Sequence, residues 1–342
     1  MSDSPTPTDP KKFLLPGLIA VAATVALITA ALLAVTLGLL PWGATIQPSV
    51  TPTDPPAQTA TSGTASPSVL PTGEPELPPD VLREMEQIED QVITLRGLQP
   101  SSRVGRQLIT SSELAEIVRE DLLDDYGQQE AQDDALLWAY FGWVEPDFDL
   151  WSFYLQLYSE QVAGFYDDED EVMYIVQGQG FEGPERLTYV HEYVHALQDQ
   201  TYDLSEGLNL NDEVCEQQAD RCTAVRAFVE GDATLLEAQW LRTYASETDR
   251  AQISAYYESF ESPILRGAPE YIQESFLYPY QAGPEFVAYT FRNGGWAAVD
   301  EVFERPPAST EQIAEPARYP DDDPIEFDGP QIAPETLGPD WR

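Results

Sequence analysis

The chain has 342 residues and a formal net charge of −43, from 60 Asp and Glu against 17 Lys and Arg. A surface of this sign repels phosphate backbones and anionic lipid heads, which argues against nucleic acid or such headgroups as partners. Solubility is the simple reading of the charge and a high-salt habitat the other; at this length the chain holds one large domain or two small ones beyond any anchor or tail.

Residues 1–12 are short and polar and end in Lys11-Lys12, the only lysines present. Gly17 to Leu40 is a run of 24 residues without a charge, closed by Pro41-Trp42. About 20 apolar residues cross the hydrocarbon core, so residues 13–42 are expected to form a transmembrane anchor, with Trp42 in the interfacial belt. The run exceeds the core of a cleaved signal, and neither an Ala-x-Ala-like site nor a cysteine follows it. The lysine pair places the N-terminus in the cytoplasm and everything after the anchor outside. Residues 43–79 carry nine prolines and no aromatic residue, the composition of an extended linker.

The folded part, expected over residues 80–319, begins with Val81, Met85, Ile88, Val92 and Leu95 on one helical stripe that ends at Gly97. Thr110-x-x-Glu113 reads as a capping box ahead of Leu114, Ile117, Val118 and Leu122, with Gly127 as the stop. Two aromatic-rich helical patterns follow, around Leu136–Phe141 and Leu150–Gln161, and their spacing assigns those aromatics to the core. The period then changes. Gly164–Tyr166 and Val172–Val176, separated by an acidic turn, read as a β-hairpin. A strand there could accept an extended peptide, or could simply pack.

Tyr189 to Gln198 carries His191-Glu192-x-x-His195, and these are the only two histidines in the chain. Pro184 suits a first helical turn, and Leu187, Val190, Val194 and Leu197 recur at helical spacing. On a helix the two imidazoles share a face one turn apart and can reach one Zn²⁺. Glu192 is turned off that face, where it can serve as general base on a water held by the metal. The plainer reading is a pair of packed histidines.

A polar loop to Leu210 precedes a helical pattern from about Asp212 to Tyr244. A glycine inside a helix costs about 1 kcal/mol relative to Ala. Gly231 is therefore expected to allow close approach to the metal helix, which would bring Glu230 to the ion. Cys215 and Cys222 on one unbroken helix would sit about 10 Å apart along its axis, too far for a disulfide. A bridge needs that helix to start after Cys215, and both outcomes stay open. The pattern remains helical to about Phe303, and the tail from Pro306 is rich in Pro and Asp. It is expected to wrap the surface or fray, with 320–342 as an acidic tail.

His191-Glu192-x-x-His195 followed by Glu230-Gly231-x-Ala233 resembles the gluzincin metallopeptidases. Large zinc aminopeptidases of that group set the third ligand in Glu-Gly-x-Ala and a transition-state tyrosine in Tyr-x-x-Gly, which Tyr280-Gln281-Ala282-Gly283 matches. From about Leu95 to Tyr319 the chain is more closely similar to bacterial membrane-anchored proteins of the peptidase-MA-like type. That likeness rests on Leu95-Arg96-Gly97-Leu98, Gly164-Phe165-Tyr166-Asp167, His195-Ala196-Leu197-Gln198, Gly294-Gly295-Trp296 and Pro307-x-Ser309-Thr310-Glu311-Gln312. It implies an α+β, mostly helical zincin-like fold, with a short sheet or hairpin beside the metal helix. His191, His195 and Glu230 would hold Zn²⁺, Glu192 and Tyr280 would be catalytic, and the substrate would be a polypeptide.

Two features depart from the aminopeptidases: 34 residues separate His195 from Glu230, and the amine-binding Gly-x-Met-x-Asn is missing. Glu213 and Glu216 compete with Glu230 as third ligand, Tyr278 and Tyr289 with Tyr280, and Asp220 or Asp232 is expected to orient a ligating histidine. A surface-anchored binding module with a structural zinc is the alternative to an enzyme. Glu192 speaks against it, because a structural site has no use for a base.

Overall fold

The computed structural model describes residues 77–119, 127–168, 170–178 and 180–325, without the side chains of Asp212 and Glu216. The expected anchor, most of the linker and the end of the tail lie outside these residues. Among the described residues no helix is long and apolar enough to cross a membrane. The fold is α+β and mostly helical, with one three-stranded sheet.

Helix α1 (Pro79–Arg96) buries Met85, Ile88 and Val92, and Gly97 closes it in the left-handed conformation that glycine adopts without a Cβ clash. Strand β1 (Gly105–Ile109) leads into α2 (Ser111–Ile117), whose Thr110–Glu113 capping box forms as expected. Helices α3 (Gln128–Phe141) and α4 (Leu150–Gln161) follow. The expected core assignment holds only for α4. Leu150, Leu157 and Tyr158 are buried, whereas Leu136, Leu137, Tyr140 and Phe141 of α3 are exposed. Spacing shows that residues share a face; it does not show that anything covers the face.

Strands β2 (Gly164–Asp167) and β3 (Val172–Val176) form the expected antiparallel hairpin, and β1 joins parallel to β3. The order is β1-β3-β2, so β2 is an edge. Helix α5 (Gly183–Tyr202) packs against β2 and β3, with every residue from Leu187 to Gln198 buried.

The expected helix over 212–244 is two helices, α6 (Asp212–Gln217) and α7 (Ala219–Thr243). Gln218 lies between them with φ −133° and ψ 47°, outside the helical region. That break shortens the Cys215–Cys222 Cα distance to 5.5 Å, and the disulfide forms. Helices α8 (Glu247–Ser259) and α9 (Pro263–Gly267) lead into α10 (Glu270–Glu304), which is interrupted at Gly295, where φ is +67°. The tail does not fray at once: α11 (Thr310–Ala314) buries Gln312 and Ile313 and packs on α7.

Gly231 does permit a close approach, but to α10 and not to the metal helix. A Cβ on Gly231 would overlap the Gly283 carbonyl, and one on Gly283 would overlap the Ala227 carbonyl. Phe228, Phe286, Val299 and Phe303 fill the same α7–α10 interface. Gly283→Ala should therefore force the two helices apart. We expect a loss of about 1–3 kcal/mol, read as a fall in Tm of roughly 2–10 °C for a domain of this size; an unchanged Tm would show that the interface yields.

Candidate metal centre

Because α5 is unbroken from Gly183 to Tyr202, His191 and His195 share one face, with ring centroids 4.8 Å apart. Glu230 comes from α7, and all three side chains are buried. Their ligand atoms lie within 4.8 Å of one another. Glu230 Oε2 is 3.1 Å from His191 Nε2 and 3.5 Å from His195 Nε2. Two ligand atoms about 2.0–2.1 Å from a tetrahedral zinc lie about 3.3–3.4 Å apart, so both spacings match such an edge.

The hydrogen bonds on the far sides of the rings decide which nitrogens face the centre. His191 Nδ1 lies 3.1 Å from Glu237 Oε2, and a carboxylate can only accept there. His195 Nδ1 lies 2.8 Å from Gln198 Oε1. Both Nδ1 atoms therefore carry protons, and both Nε2 atoms are turned toward Glu230. His195 Nε2 is buried without a hydrogen-bond partner. A cation between the three groups would satisfy it, so the donor set fits a zinc ion.

Glu192 is fully buried, and neither of its carboxylate oxygens meets a side-chain hydrogen-bond partner. Burial pushes its pKa well up; Glu230 and Glu237 add to this, while His191 and the Tyr166 backbone N–H oppose it. Burial also raises Glu237. Burial alone would lower His191, but hydrogen bonds to Glu230 and Glu237 outweigh it and lift the imidazole to about 10. Glu230 moves below its usual value despite burial, because both histidines stabilise its anion. Burial thus disfavours the ionised forms of Glu192 and Glu237, and a cation bound here would stabilise them.

Tyr280 donates its hydroxyl hydrogen to Glu230 Oε1 at 3.1 Å and is itself buried. The Gly231–Gly283 contact explains this meeting, since Glu230 precedes one glycine and Tyr280 stands one turn before the other. Tyr278 instead bonds Thr310 O, and Tyr289 is exposed. Glu213 lies exposed on α6. Neither expected second carboxylate touches a histidine. Asp220 binds Thr310 at the far end of α7, and Asp232 bonds Gln198. Glu237 takes that place, two turns beyond Glu230 on one face of α7; its i+7 spacing was the available signal.

A cavity of about 190 Å³ opens beside Val162 and Ala163, at the start of the β2 edge, and Thr188, one turn before His191 on α5. Comparison with protein-family models, with curated proteins and with solved structures found no match. The functional reading therefore rests on the centre itself. If Glu230 is the third ligand, Glu230→Ala should weaken zinc binding at least tenfold in a chelator-competition titration, and Glu213→Ala should leave it unchanged. The reverse result would move the ligand to α6.

Proposed function

We propose that the chain is a zinc-dependent peptidase of the gluzincin type, with a zincin-like catalytic domain that hydrolyses peptide bonds. The observation that carries this reading is Glu192: a buried carboxyl with no side-chain hydrogen-bond partner, beside three convergent ligand groups. A brace that only held helices together would gain nothing from that buried polar group, which is costly to keep. Zinc bound by His191, His195 and Glu230 would supply Lewis acidity toward a substrate carbonyl and lower the pKa of a water there.

The remaining steps belong to the chain. A carboxylate oxygen of Glu192 takes a proton from the attacking water and returns it to the leaving amine; its burial-raised proton affinity suits both transfers. The Tyr280 hydroxyl, whose single hydrogen goes to Glu230 here, would turn it to the oxygen on which charge develops. Among the described residues β2 is an edge strand, and an extended polypeptide would pair along it, beside the cavity at Ala163. The apolar run at 17–40 and the Lys11-Lys12 pair support a membrane-anchored protein whose domain lies outside the cytoplasm.

Glu192→Gln should keep zinc and fold while lowering turnover of an unfolded protein substrate by about 10²–10⁴-fold. Full turnover in the zinc-loaded variant would take Glu192 out of the reaction and favour a structural zinc. For the anchor, protease added to intact cells should release a fragment that begins between residues 43 and 79. Complete protection, lost only on permeabilisation, would contradict that topology.

A further inference from the structure

We propose that Arg96, the last residue of α1, is a positioning residue for the metal centre, acting on His195 through Asp232 and Gln198; this rests on the zinc reading above. The geometry forms one continuous path. Arg96 Nε donates to Asp232 Oδ1 at 2.9 Å, and both side chains are wholly buried. Asp232 Oδ2 accepts from Gln198 Nε2 at 2.8 Å, and Gln198 Oε1 faces His195 Nδ1 at 2.8 Å.

The chemistry of the amide makes this path directional. Gln198 Nε2 also donates to Val229 O at 3.1 Å, so its nitrogen faces two groups that can only accept. Its oxygen is therefore left for His195, and a carbonyl oxygen requires the proton on Nδ1. The Nε2 lone pair is then free for the ion. A reversed amide would offer N–H to Nδ1 and force the proton onto Nε2, the atom that must bind.

Asp232 fixes the amide's orientation, and Arg96 is the buried cation paired with its carboxylate. Arg96 is itself held from the other side: its Nη1 donates to Asp300 at 2.7 Å, and its guanidinium lies 4.6 Å above the Trp296 ring. A buried ion pair is a poor way to gain stability, because well-packed apolar residues often do as well. Its position directly behind a ligand's amide gives it a use there. His191 needs no such path, since Glu237 meets its Nδ1 directly.

The test uses the full chain loaded with zinc and labelled with ¹⁵N-histidine. Two histidines give two Nδ1–H signals to assign. In the wild type both should be present, with one zinc bound. Gln198→Leu and Arg96→Met should each lose or strongly shift the His195 Nδ1–H signal, spare that of His191, and weaken zinc binding about 10–100-fold. Asp220→Asn, at a residue that bonds Thr310 at the far end of α7 and lies outside the path, should change neither. Should Arg96→Met fail to fold, Arg96→Lys replaces it; the lysine keeps the charge but lacks the planar fork, and a weakened His195 signal is again expected. Wild-type signals and affinity in folded Gln198→Leu would overturn the path. Loss in Gln198→Leu with none in the Arg96 variants would overturn the role of Arg96. A wild-type chain that binds no zinc would instead sink the metal reading itself.

Discussion

Between α5 and α7 two imidazoles and three carboxylates share a region closed to water: His191, His195, Glu192, Glu230 and Glu237 are each at most 2 % exposed. Isolated charges at such depth are costly, and the chain meets the cost with mutual hydrogen bonds. These bonds do not satisfy everything. Glu192 has no side-chain partner for either oxygen, and His195 Nε2 has none. His195 Nε2 faces Glu230 Oε2 at 3.5 Å, and one divalent cation between the two histidines and Glu230 would satisfy it.

The surrounding fold serves that arrangement. Helix α5 is buried from Leu187 to Gln198, and the sheet, α1, α7 and α8 pack around it. Gly231 and Gly283 let α7 and α10 meet at backbone distance, which carries Tyr280 to Glu230. At the start of α7 the break at Gln218 and the Cys215–Cys222 bridge tie that helix to α6. In the closed-loop view a bridge over so short a stretch is worth about 2–3 kcal/mol, mostly by limiting the unfolded chain. Glu230 is two turns further along, on a helix whose origin is thus held.

Local chemistry made much of this readable from the residues in order. The Thr110–Glu113 cap, the Gly97 stop, the 164–176 hairpin and the buried metal helix all appear where spacing and capping put them. Each depends on neighbours within a few residues, and there the periods of helix and strand leave little choice. The expectations that failed share another character. Leu136, Leu137, Tyr140 and Phe141 of α3 fall in a pattern read as core, yet they face solvent, and of the aromatics in it only Trp138 packs inward. Gly231 marks a close contact, but its partner is α10. A helix pattern states which residues lie side by side and is silent on what lies opposite.

The same division runs through the centre. His191 and His195 are four residues apart on one helix, so their shared face was determined by the sequence alone, as was the place of Glu192 off that face. Tertiary packing decided that Glu230 closes the set, that Glu237 rather than Asp220 or Asp232 holds His191, and that Gln198 and not a carboxylate meets His195. Those contacts depend on how far α7 is rotated and shifted along α5. That phase is set by the summed packing of α1, the sheet and α10 around both helices, and no single segment's periodicity carries it.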